Sequence, residues 1–142
     1  MNVKALLLAL LLPLSAHAQG FAVLGTQADD GFGVPERGTV LDFPSDHGPH
    51  PNYRIEWWYL TANLKGADGT DYGLQWTLFR SALAPEAGEG WTAPQLWMGH
   101  AAVTTPAQHF VTERLARGGI GQAGAVAQPF SASIGDWELT GD

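Results

Sequence analysis

The sequence predicts an all-β chain folded as an antiparallel meander that stops short of a closed barrel. Apolar residues alternate with period two in successive segments joined by short turn-forming connections, the mark of hairpin-linked strands. With 18 glycines, 9 prolines and only 15% charged residues, the composition favours a turn-rich β protein over a helical one. No stretch sustains a helical period.

Residues 1–18 combine a positive lead at Lys4, an apolar run from Ala5 to Leu12, and the small-x-small pattern Ala16-His17-Ala18. These features together read as a cleaved secretory signal. Pro13 ends a run too short for the roughly 20 apolar residues of a bilayer span. Residues 19–39 are rich in glycine without alternation and are expected to form an extended lead-in with at most a short helix at 26–30. Residues 40–51 carry Pro44, Gly48, Pro49 and Pro51, the punctuation of a structured loop.

The first strand is expected over residues 53–64. Alternation puts Glu56, Trp58 and Leu60 on one face and Ile55, Trp57 and Tyr59 on the other. Asp68-Gly69 signals a hairpin into a second strand at 71–83, where Leu74, Trp76, Leu78 and Arg80 share a face. After an exposed loop at 84–93, a third strand is expected at 95–105 and a fourth at 108–115. Residues 116–128 read as a loop because they are small and flexible in composition. Short strands at 130–134 and 137–140 flank a Gly135-Asp136 turn. Five or six strands fall below the roughly eight that closing a barrel requires, so the chain reads as the front part of a longer protein.

The formal charge of −7 argues against nucleic-acid binding, which calls for a basic patch. The absence of cysteine excludes disulfides and the thiol of a lipoprotein anchor. A soluble periplasmic or secreted protein, without a membrane anchor, is expected.

Asp46, His47 and His50 form a D-H-x-x-H cluster. Zinc needs three or four converging ligands, and Asx-turn and backbone hydrogen bonding account better for these residues. No metal is assigned. Glu56 sits mid-strand, where a carboxylate must be paired or become protonated; Arg80 is its expected partner. Two readings stay open, a structural Glu56–Arg80 pair and a polar group in an apolar cavity able to orient a ligand or give a proton. His100, between Gly99 and Ala101, is either a satisfied sheet histidine or a proton-transfer residue on a cavity wall near Glu56 and Arg80. Trp58, Trp76 and Trp97 serve as core or as the lining of a site for an apolar ligand, with His50 and Arg80 as its polar groups. No nucleophile elbow, phosphate loop or dinucleotide fingerprint is present.

The segment FPSDHGPHPNYRIEWWYLTANL, followed by YGLQWTLFR, QLWMGHAAVTT and HFVTERLARGG, resembles the AttH-like, carotenoid 1,2-hydratase (hydroxyneurosporene synthase) family of secreted lipocalin-like proteins over residues 41–140. The resemblance implies two lipocalin-like β-barrel domains in a chain well over twice this length, residues 40–142 forming the first and pairing with the second. It also implies one of three roles. The first is binding a hydrophobic small molecule, a lipid or isoprenoid. The second is hydration or hydrolysis of such a ligand without a cofactor, with Glu56 and His100 as acid–base candidates. The third is an accessory part of a transport system. Hydrating an isolated alkene requires a protonated acid in an apolar site, a held water, and aromatic faces for the cation.

Overall fold

The computed structural model describes residues 31–86 and 88–141. The expected signal segment and residues 19–30, with the short helix at 26–30, lie outside them. Among the described residues the strands are β1 (Ile55–Lys65), β2 (Asp71–Ala82), β3 (Gln95–Thr104), β4 (His109–Arg117), β5 (Ala123–Val126), β6 (Phe130–Ile134) and β7 (Trp137–Gly141). The first four pair in sequence order in one sheet and the last three in a second, all antiparallel. Neither sheet closes on itself, so the all-β meander is an open, unfinished barrel, as the sequence predicts.

The local reasons are those of hairpin chemistry. β1 and β2 turn through Asp68-Gly69, where Gly69 has φ +84°, a left-handed value that costs a residue without Cβ little. Asp68 braces the turn by accepting from the Thr70 backbone N–H and hydroxyl. Two boundaries differ from expectation by two residues, the others by at most one. β1 begins at Ile55 rather than Tyr53, because the Tyr53 amide closes a turn onto the His50 carbonyl at 3.0 Å. β4 runs on to Arg117, because Ala116 and Arg117 find partners in Trp97 and Leu96.

β5 corrects the loop expected at 116–128. Its Ala-Gly-Ala-Val sequence has little intrinsic strand preference. Its pairing with β6, Ala125 opposite Ala132 and Ala123 opposite Ile134, supplies what local sequence does not.

The core lies between the two sheets. Leu78 and Trp97 of the larger sheet meet Ala132 and Ile134 of the smaller, with Trp58 and Trp76 partly buried around them. Burying a side chain such as Leu78 contributes ~1.5–3 kcal/mol. The registers Glu56↔Arg80↔Trp97 and Trp58↔Leu78↔Gly99 put these residues on one face. Trp57, Tyr59, Phe79, Met98 and His100 occupy the other. This face partition follows the alternation read from the sequence.

Gly99 lets the two sheets approach closely: a Cβ there would lie 2.7 Å from Ile134 Cγ2. Gly99→Ala is therefore expected to destabilise by ~1–3 kcal/mol through overpacking. Combining it with Ile134→Ala, which removes the opposing methyl, should cost less than the sum of the two single changes by ~1 kcal/mol. Urea unfolding of the four proteins checks this; strict additivity would mean the contact is not the constraint.

Candidate functional site

The polar residues singled out in the sequence converge where the loop before β1 folds onto the start of the large sheet. A single 3-10 turn, Ser45–His47, lets the chain double back on itself. Three strand side chains hold the loop. Trp58 Nε1 donates to the His47 carbonyl at 2.8 Å. Arg80 Nη2 donates to the carbonyls of His50 and Tyr53, both at 2.8 Å. Glu56 accepts the His50 amide with both oxygens, at 2.9 and 2.8 Å.

Glu56 and Arg80 face each other across β1 and β2, and Arg80 Nε donates to Glu56 Oε1 at 2.8 Å. The Arg80 side chain is 1% exposed and that of Glu56 14%. The expected Glu56–Arg80 pair is formed, and the carboxylate oxygens also accept from the His50 amide and face its imidazole. Beyond the guanidinium, Arg80 Nη1 and its cross-strand neighbour Trp97 Nε1 are buried without a hydrogen-bond partner among the described residues.

His50 stands between two carboxylates, with Nδ1 3.2 Å from Glu56 Oε2 and Nε2 3.1 Å from Asp46 Oδ1. With a carboxylate at each ring nitrogen, the doubly protonated imidazolium is the form that satisfies both. The hydrogen bond to Asp46, aided by the charge and hydrogen bond of Glu56, raises the His50 pKa above its ordinary 6.5 although burial opposes this. The Asp42 backbone N–H, 2.6 Å from Asp46 Oδ2, and then the His50 hydrogen bond lower the Asp46 pKa below its ordinary 3.8.

Beside this chain of groups a cleft of about 450 Å³ opens, lined by Leu41, Tyr53, Ile55 and Trp57, by Pro35, Glu36 and Thr39 of the lead-in, and by Asp46, His50 and Glu56. Trp57 belongs to the aromatic run of the first strand, which the sequence offers as core or ligand lining, and alternation sets it opposite Trp58; the lead-in was not singled out.

The remaining candidates lie elsewhere. Trp58 and Trp97 stack at 5.7 Å within the core, and Trp76 packs against the same core. His100 does not join Glu56 and Arg80: one-residue alternation puts it on the opposite face, its ring against the edge of Phe79 at 5.5 Å and Nε2 3.7 Å from Glu113 Oε2. His47 turns its ring to Phe43 and Phe130 rather than towards His50. Among the described residues no group of three or more His, Asp or Glu side chains is disposed to hold a metal ion.

The AttH-like family model matches residues 34–142, which contain every residue of this site. The chain belongs to the AttH-like family. Among solved structures, this AttH-like chain is similar to a protein of Nitrosomonas europaea described as a candidate AttH, with 30% identity and a TM-score of 0.60 over 75% of this chain. The match covers 32% of that protein, so the chain spans about a third of its length. No curated protein matches.

Two expectations follow. Arg80→Met would take the guanidinium from Glu56, the only donor of the Tyr53 carbonyl among the described residues, and one of the two donors of the His50 carbonyl, so it should destabilise by ~3–5 kcal/mol; Arg80→Met combined with Glu56→Leu should recover part of this. A loss under about 1 kcal/mol in urea unfolding would contradict the pairing.

The loop clasp should also depend on pH. A raised His50 pKa means its contribution is complete below the unfolded value near 6.5 and is lost as pH rises through the folded value. A lowered Asp46 pKa means its contribution is complete above the unfolded value near 3.8 and is lost as pH falls through the folded value. Thermal melts from pH 3 to 9 should therefore show an alkaline decline that His50→Gln abolishes; an identical decline in the variant would assign it to another group.

Proposed function

We propose that this AttH-like chain is an exported lipocalin-like protein that binds a hydrophobic small molecule carrying a polar end, of the lipid or isoprenoid class. The supporting observation is the cleft over β1. Leu41, Tyr53, Ile55 and Trp57 offer apolar surface, and the Asp46–His50–Glu56 chain lines the same cleft. Its volume is within the ~300–1,000 Å³ of small-molecule sites, and an apolar lining with few convergent polar groups is their usual chemistry. The exposed rim, with Leu41 59% and Trp57 55% accessible, is what a ligand would cover. Trp58, Trp76 and Trp97 support this site from behind as core rather than as lining.

Acid–base work on the same ligand is a second reading, favoured by one observation: the His50 ring borders the cleft with a carboxylate on each nitrogen. On this reading His50, rather than His100, is the proton-transfer group, oriented by Asp46 and Glu56.

A polyene fatty acid such as cis-parinaric acid, titrated against the purified protein, tests the binding reading through its fluorescence. Binding is expected, with Leu41→Asp and Trp57→Ala each weakening it about tenfold, the ~1.4 kcal/mol that losing one apolar wall contact implies. Unchanged affinity in both variants would move the ligand out of this cleft, and no binding of any polyene or fatty acid would remove the proposal.

A further inference from the structure

A second cleft, of about 580 Å³, lies on the face of the large sheet turned away from the core, and no residue lines both clefts. Its side chains include Gln75, Thr77, His100, His109 and Glu113. The register aligns Tyr59, Thr77, His100 and Glu113 as one row across β1, β2, β3 and β4. At ~4.8 Å per strand that row is about 14 Å long. The next row begins with Trp57 and Phe79, whose rings lie 6.5 Å apart, and Phe79 in turn meets the His100 ring. Tyr59 is 66% exposed and Trp57 55%.

The chemistry of these two rows is specific. Amide, hydroxyl, phenol and imidazole groups each both donate and accept hydrogen bonds, so together they suit ligand groups that do the same, namely hydroxyls. A purely apolar ligand would strip water from all of them without compensation. An anion would find no lysine or arginine among the lining residues and would meet the Glu113 carboxylate. Beside the polar row, exposed ring faces with their negative quadrupoles accept polarised C–H groups. A pyranose combines these demands, with hydroxyls around its rim and C–H groups on its face.

We propose that this face binds a neutral glycan, with sugar rings stacked on Tyr59 and Trp57 and their hydroxyls bonded to Gln75, Thr77, His100 and Glu113. The length of the row suits a short oligosaccharide better than a single sugar. Trp57 also borders the cleft over β1, whereas Tyr59, Gln75, Thr77, His100 and Glu113 do not, so substitutions at Tyr59 and Gln75 test this site alone.

The test is calorimetric titration of the full chain with neutral hexasaccharides of β-glucan, chitin, xylan and mannan type, and with a sulfated glycan for comparison. At least one neutral member should bind, and Tyr59→Ala and Gln75→Leu, both surface changes that should leave the melting temperature unmoved, should each weaken it about tenfold. Hydroxyl-radical footprinting should find Tyr59 reactive in the free protein and protected by the sugar. Three results would overturn the proposal: no neutral saccharide binds; binding ignores both substitutions or is matched by the sulfated glycan; or Tyr59 is already protected without sugar, which would mean that a second copy or further polypeptide covers the face.

Discussion

The buried guanidinium of Arg80 is the constraint on which the rest of this structure depends. It is paired with Glu56 across the first hairpin and donates to two carbonyls of the preceding loop, so strand pairing and loop placement share one side chain. Such a group is costly to dehydrate, and its own Nη1 and the neighbouring Trp97 Nε1 lack partners among the described residues. The compensation is geometric. Arg80 needs three separate segments in place at once, and a planar, always-charged donor array is suited to enforcing that. An apolar residue could fill the volume but could not position the loop.

The loop's placement is what creates the cleft over β1. Without the Trp58, Arg80 and Glu56 contacts to the loop backbone, Leu41, Asp46 and His50 would have no fixed relation to Trp57 of β1. The site is thus assembled from local sequence, a span of a few dozen residues, while its rigidity comes from β2. The two faces of the large sheet also divide the chemistry: charge pairing and core packing on one, exposed rings and hydrogen-bonding groups on the other.

Much of this was legible in the residues. Period-two alternation assigned the faces of β1, β2 and β3, Asp68-Gly69 announced the first hairpin, and the placement of Glu56 and Arg80 within two successive strands pointed to their pairing. β5 was not legible, because Ala123 to Val126 owe their strand geometry to β6 and not to their own preferences. The association of His100 with Glu56 failed for a related reason. Alternation separates the faces within a strand, but only the register between strands says which residue of β3 stands behind Glu56, and that residue is Trp97. The clasp of His50 between Asp46 and Glu56 depends on a loop that doubles back, which no periodicity encodes.

The stacked indoles of Trp58 and Trp97 belong to strands on either side of β2, so their rings meet over it and roof Leu78 and Arg80. Two chromophores this close and within 20° of parallel couple their electronic transitions, giving a circular-dichroism signal that neither ring has alone. The signal exists only while three strands keep their alignment. The protein therefore carries, in the middle of its hydrophobic layer, an intrinsic optical gauge of whether its sheet is correctly assembled.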